Sequence, residues 1–317
     1  MKNAFKALVV LAAIAIGFTS CNKEEDLLAP EMGETKIMYI TDNTATLKAE
    51  LIDEGDENVS DNGVCWSTSP EPTIDDNSVE ASDYEDFFTA ELEELTEDTE
   101  YYARGYATSD AGTSYGQEIT FSTTSPVQDI DGNEYPTVQI GDQIWMAENL
   151  KTTTFNDGSS IPNVTDGDTW SELTSAAYCW WENDTEEAND HWGAMYNYYT
   201  VAAGNLAPDG WHVPTEDEWD VLKDFIDGDG DKLKHTGSTT YGDNNQTSFN
   251  AYMAGYRHST AGSFYSRGDE TYFWIAGEEP SSTTTVTYAV FLKEESKSIE
   301  HDANYMSRGF SVRCIKD

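Results

Sequence analysis

The sequence predicts a multidomain chain of two classes, an all-β sandwich followed by an α+β domain rich in loops. Two observations carry this. From Thr35 to Thr124 short β-prone runs alternate with polar turns, whereas beyond Pro126 that alternation stops and tryptophan and histidine concentrate. The joint is "STTSP" (122–126), polar and closed by proline. A length of 317 residues suits two ordinary domains.

The first segment lies outside both. "MKNAFKALVVLAAIAIGFTSC" has Lys2 and Lys6, an apolar run from Ala7 to Ile16, then small residues before Cys21. That is the layout of a secretory leader, and the run is shorter than the roughly 20 residues of a bilayer crossing. "FTSC" resembles a bacterial lipobox, with Phe18 where leucine is usual. The resemblance implies removal of residues 1–20, lipid attachment at Cys21, and a durable membrane anchor, since each buried methylene adds about 0.8 kcal/mol. "CNKEED" is similar to the lipoprotein export signal of Bacteroidetes, which implies the cell-surface leaflet of the outer membrane. Residues 21–30 then form a lipidated tether.

Sixty acidic against seventeen basic residues give a net charge of −43. A surface this acidic repels phosphate backbones, which argues against nucleic acid as a partner. It suits plain solvation, or a face that attracts divalent cations. With Cys21 lipidated, Cys65, Cys179 and Cys314 remain, and no CxxC pair offers zinc or redox chemistry. Outside the cytoplasm a disulfide is permitted, and Cys179 and Cys314 could pair, leaving Cys65 as a small buried hydrophobe.

In the first domain (31–124) the runs are "TKIMYI", "TATLKAELI", "GVCWS", "FFTAEL", "TEYYARGYAT" and "SYGQEITFST". Short strands at this spacing predict a sandwich. "LTEDTEYYARGYATSDAGTSYG" resembles the E–F–G region of a fibronectin type III domain, with Leu95, Thr99 and Tyr101 at the corner where a tyrosine hydroxyl closes a turn. Tyr101, Ala103, Gly105 and Ala107 would then face the core, and Tyr102, Arg104 and Tyr106 outward. "GVCWSTSPEPT" resembles the third strand and following turn of such domains in Bacteroidetes surface proteins. Either sheet face is open to Trp66, the core being favoured. The resemblance implies a spacer.

The second domain (125–317) opens with Asp131-Gly132 and Gly141-Asp142 as hairpin turns. Asp129, Asp131 and Asn133 have the spacing of a calcium loop's first ligands, but no glutamate follows at the twelfth position. "DGDGD" (227–231) fails the same test at Ser238. Calcium stays open as a cofactor without a complete motif, and the sequence calls for no other.

"APDGWHVPTEDEWDVL" (207–222) reads as a helix start. Thr215 and Glu218 have capping-box spacing, Pro214 fixes the entry, and Glu216 and Asp217 suit the positive end of the helix dipole. Trp219, Leu222 and Phe225 recur on one face with Ile226 beside them. The acids are thereby accounted for, and His212 reads as a packed or hydrogen-bonding residue.

"DIDGNEYPTVQIGDQIWMAENL", "AYCWWEND", "GAMYNYY", "APDGWHVPTEDEW", "LKHTG", "GSFYSRG" and "RGFSVRC" occur in the order of the Fibrobacter succinogenes major paralogous domain, which residues 127–317 resemble. The resemblance implies an extracytoplasmic, often lipid-anchored protein of a family without an established biochemical activity. Many members carry a cysteine just before "P-x-G-W", where this chain has Ala207. That departure removes one potential partner for Cys314 and favours Cys179. The family in turn looks like the group with the C-type-lectin-like fold, including sulfatase-modifying and formylglycine-generating enzymes. "HVPTEDEW" is similar to their "RLPTEAEW", and "GFSVRC" to their "GFR-C" ending. The likeness implies a helix packed on irregular β structure, with long loops that carry the site.

Formylglycine-generating chemistry needs a cysteine pair near the C-terminus, and only Cys314 is there. No GxSxG, HExxH or phosphate-cradling loop appears. The expectation is therefore a binding module rather than an enzyme. In "YCWWENDTEEANDHW" (178–192) adjacent Trp180 and Trp181 cannot both face inward on a strand. One would meet solvent and could stack on a sugar ring, with Asn183 and Asp184 for polar contacts. The alternative packs both beneath loops. Tyr265, Arg267 and Trp274 form a second aromatic–polar candidate patch. The "EPN" and "QPD" triplets of sugar-binding lectins are absent. The expected partners are a glycan or a surface protein, besides the membrane at Cys21. The runner-up role is a structural surface coat with a protein partner, and behind it an enzyme related to the formylglycine-generating and sulfatase-modifying proteins.

Overall fold

The computed structural model describes residues 27–81, 86–184, 192–235, 245–277 and 286–317. Cys21 and the leader, with the lipidation reading they carry, lie outside the described residues, as does Ser238.

The first domain contains β1 (Glu31–Ile40), β2 (Ala45–Asp53), β3 (Asp61–Ser67), β4 (Asn77–Glu80), β5 (Phe87–Leu92), β6 (Glu100–Ser109), β7 (Gly112–Tyr115) and β8 (Ile119–Ser122). Strands β1, β2 and β5 make one sheet, and β4, β3, β6 and β7 the other, with β8 also on β6. Strict alternation drives the pairing of faces: Ala45, Leu47, Ala49 and Leu51 of β2 are all buried. The sheets meet closely at Gly105, where a Cβ would come within 2.5 Å of the Ala49 Cβ. Tyr101 closes the expected corner, its hydroxyl accepting from the Thr96 N–H at 3.0 Å above buried Leu95. Ala103 and Ala107 face inward, Cys65 is buried, and Trp66 packs half-buried against the core. Tyr106 lies on the outer face as expected, between the inward Gly105 and Ala107, but it is covered there rather than exposed. It is 2 % exposed, opposite Gly63, where no side chain competes for the space, and its hydroxyl donates to Asp61.

The joint holds the two domains in one sheet. After β9 (Val127–Gln128) and β10 (Glu134–Tyr135) come β11 (Thr137–Ile140) and β12 (Gln143–Met146). The end of β1 pairs with β11, Tyr39 opposite Ile140 and Ile40 opposite Gln139. One seven-stranded sheet thus crosses the boundary. The connecting residues are fixed rather than free: the Thr124 hydroxyl donates to Thr137 O and the Thr137 hydroxyl to Ser125 O, each at 2.9 Å.

The rest of the second domain comprises α1 (Gly167–Ser171), β13 (Tyr178–Cys179), β14 (Met195–Tyr196), α2 (Tyr198–Val201), β15 (Trp211–His212), α3 (Glu216–Phe225), β16 (Tyr256–Arg257), β17 (Phe264–Tyr265), β18 (Glu270–Trp274), β19 (Val286–Lys293), β20 (Ser296–Tyr305) and β21 (Ile315–Lys316). Strands β18, β19 and β20 form a second sheet, while β15 and β21 extend the large one. Helix α3 starts on the expected box: Thr215 N–H donates to the Glu218 carboxylate at 2.7 Å, and Glu218 N–H returns to the Thr215 hydroxyl. Its inward residue Trp219 bridges the sheets, 4.9 Å from Trp145 and 5.5 Å from Phe273 between ring centres. Phe225 meets Tyr39 of the first domain edge to face at 6.1 Å. The two domains therefore share part of one core.

Two family motifs meet at Arg313, which is fully buried. Its guanidinium donates to the Asn149 side chain and to the carbonyls of Met146, Phe249 and Asn250, with Phe249 stacked at 4.4 Å. Carbonyls and an amide satisfy its fork in place of a carboxylate, so this arginine ties loops together.

Candidate functional site

The expected disulfide is absent. Cys179 lies among Trp170, Ala177 and Met195, whereas Cys314 belongs to a different cluster with Tyr196 and Phe310, and both are free buried thiols. Burial pushes each up to about 12, so both stay protonated.

The calcium-like stretches are occupied from within. Asp129 accepts from the N–H groups of Asp131 and Asn133 and from the Tyr135 hydroxyl, the last at 2.6 Å. Asp131 accepts from the Thr153 N–H and hydroxyl. These are turn bonds. In the second stretch Asp231 pairs with buried Lys234 at 2.7 Å, and Lys297 reaches Asp229 at 3.1 Å. Among the described residues no group of three or more His, Cys, Asp or Glu converges to hold a metal. His212, first met beside the helix start, bridges Glu218 at 2.8 Å and Asp317 at 2.7 Å.

The candidate aromatic residues divide sharply. Trp180 is 5 % exposed and packs on Tyr178. Trp274 is fully buried, its indole N–H donating to Tyr196 O at 2.7 Å, so it belongs to the core and not to a ligand face. Trp274 ends β18, an edge strand of its sheet, and is covered by Tyr198 at 5.4 Å and Phe310 at 4.4 Å, residues of other elements that the sequence alone does not connect to it. Trp181 turns the other way. Glu182 and Asn183 take φ of 49° and 61°, a left-handed turn directly after Trp181, which stays half-buried against Trp170 and Met195. The Asn183 amide fixes the turn by donating to Thr165 O at 3.2 Å, and Asp184 follows it, exposed.

The structure joins Trp181 to Arg267, which the sequence had placed in separate patches. The Arg267 guanidinium lies 5.6 Å from the Trp181 ring centre and 4.4 Å from that of Trp192. Trp192 meets Tyr252 edge to face at 5.4 Å, and Tyr252 stacks on His235 at 4.0 Å. On the other side Trp181 packs on Phe264 at 5.4 Å. Phe264, Trp181, Arg267, Trp192, Tyr252 and His235 form one row, every member half-buried. Gly255 makes room for it: its φ is +71°, and a Cβ there would come within 2.6 Å of the Trp181 ring. Trp192, Tyr252 and His235 were missed because they sit in loops without hydrophobic periodicity. The usable signal was a tryptophan directly following the acidic run "ENDTEEANDH".

Tyr265 lies on the opposite side of the β16–β17 ribbon, since neighbouring residues alternate. It is 45 % exposed and stacks on Tyr256 at 5.8 Å, with His258 at the same distance and Arg308 over Tyr256 at 5.2 Å. Burial and the nearby Arg308 charge hold His258 below the usual histidine range. The ribbon thus presents aromatic surface with cationic or hydrogen-bonding groups on both faces. Such surface stacks on flat or ring-shaped partners while its polar edges orient them.

A family model described as Fibrobacter succinogenes major domain matches residues 138–316, more than half of the chain. No curated protein matches. Among solved structures, one titled "Myokine structure" is similar at 20% identity, covering 31% of this chain and 97% of its own, with a TM-score of 0.24. A fibronectin type-III domain of human fibronectin type III domain containing protein 3 is similar at 17% identity, covering 30% of this chain and 84% of its own, with a TM-score of 0.22.

Proposed function

The chain belongs to the Fibrobacter succinogenes major domain family, and from that premise we propose a surface-exposed outer-membrane lipoprotein that displays a non-catalytic binding and adhesion module. In this reading Cys21 carries the lipid, residues 21–30 are the tether, the sandwich lifts the second domain off the membrane, and a lectin-like arrangement of loops presents the ligand face. The observation that carries it is the half-exposed row from Phe264 to His235, an aromatic–cationic surface whose Trp181 and Phe264 end rests on the core. Its ligand is a glycan or a neighbouring surface protein. The acidic remainder keeps the module soluble and away from polyanions.

Two experiments test the reading. Protease treatment of intact cells should degrade the protein, and full protection would remove the surface assignment. The full chain in mild detergent, applied to a glycan array with and without calcium, should give signal that Trp192→Ala weakens. A silent array would shift the reading to a coat protein, for which the exposed Val286, Tyr288 and Tyr305 on the β19–β20 hairpin are the natural contact.

A further inference from the structure

The continuous sheet creates a second concave surface, lined by none of the residues of the aromatic row. At the seam a cleft of about 720 Å³ lies between the domains, walled by the joint residues Ser122–Val127 on one side and by Trp211 and Lys316 on the other. Asp98, Thr120 and Gln128 line it further, over a floor that includes Ile37 and Ile144. We propose that this cleft binds a neutral oligosaccharide; the inference rests on the binding-module reading and assigns it a separate surface and a ligand class.

Three features argue for this chemistry. The cleft is preformed: its walls are held by the β1–β11 pairing and by the crossed hydroxyl bonds of Thr124 and Thr137, so little ordering cost attends binding. Its lining is mixed, as a pyranose demands. The Trp211 indole offers an apolar face for ring C–H groups, while hydroxyl, amide and carboxylate groups match sugar hydroxyls. Charge narrows the class. Asp98 and Glu100 beside a single Lys316 disfavour sulfated or phosphorylated ligands, and the polar walls disfavour a hydrocarbon one.

The test is saturation-transfer NMR and calorimetry on the full chain in mild detergent, with tetrasaccharides of glucose, mannose, xylose and galactose as probes. At least one should bind. Thr120→Tyr, an exposed position where a ring fills the cleft without touching the core, should weaken it at least about tenfold. Trp211→Phe should retain most of the affinity and Trp211→Ala should not, with thermal melting confirming that each variant folds. The loss caused by Thr120→Tyr should persist in a Trp192→Ala background, where the aromatic row's own share of any binding is removed. If no tetrasaccharide binds, or Thr120→Tyr binds as well as the parent chain, the cleft proposal falls. If Trp192→Ala abolishes binding while Thr120→Tyr does not, the aromatic row stands and the cleft falls.

Discussion

The guanidinium of Arg267 lies 4.4 Å from the ring centre of Trp192 and 5.6 Å from that of Trp181. Half-exposed cation–aromatic contacts contribute about 0.5–1 kcal/mol each. Arg267→Ala should therefore lower unfolding free energy by about 1–2 kcal/mol in denaturant titration. Arg267→Lys should recover little of it, because an ammonium cannot lie flat between two indoles. A variant as stable as the parent would mean the row is held by other contacts.

His212 predicts a pH dependence. Burial alone would lower its pKa, but hydrogen bonds to Asp317 and Glu218 outweigh that and raise it above the ordinary 6.5. Glu218 is also partly buried, which alone would raise its pKa. Bonds from Thr215 and His212 instead hold it below the ordinary 4.5. The histidine contribution is complete below about pH 6.5 and disappears as pH rises through the raised value, while the glutamate contribution disappears on acidification. The melting temperature should thus fall between mildly acidic and mildly alkaline pH. His212→Gln should flatten that limb, and an unchanged slope would rule out the bridge as its cause.

The thiols should be silent. Cys65, Cys179 and Cys314 are buried, and burial holds the last two at about 12, so little thiolate exists near neutrality. A thiol reagent should label these positions only after unfolding, and reductant should not change the melting temperature. A reductant-sensitive transition would restore the disulfide.

The shared core predicts joint unfolding. Tyr39 belongs to a β1 strand of the first domain yet is 8 % exposed against the second domain's core. Calorimetry should show one transition for the two domains. Tyr39→Ala, which costs about 3 kcal/mol on the scale of buried aromatic truncations, should separate it into two. Two transitions in the parent chain would contradict the coupling.

What was legible in the sequence was local. The Thr215–Glu218 box and the Tyr101 corner depend on residues a few positions apart, and spacing reveals them. Alternation suggested that Trp180 and Trp181 would differ, but not which would be buried, and Trp181 lies in a turn rather than a strand. The β1–β11 pairing was hidden because an outer strand of a sandwich carries no mark of the partner that will cover it. The burial of Tyr106 was hidden for a similar reason, since the groups beside it, Gly63 and Asp61, lie on another strand. Arg267 and Trp192 meet through loops, where no period connects one residue to another. Trp274 was misread because aromatic character is the same in a core and on a binding face.

The seam also has a mechanical meaning. Strand β1 begins at Glu31, just beyond the expected tether, and ends at Ile40 in the ladder with β11. A pull between a membrane anchor and a ligand held by the second domain would run along β1. Ladder hydrogen bonds lie across that direction, so they would be strained together in shear rather than opened singly like a zipper. A protein built this way would hold its ligand under flow without a slack hinge to absorb the load.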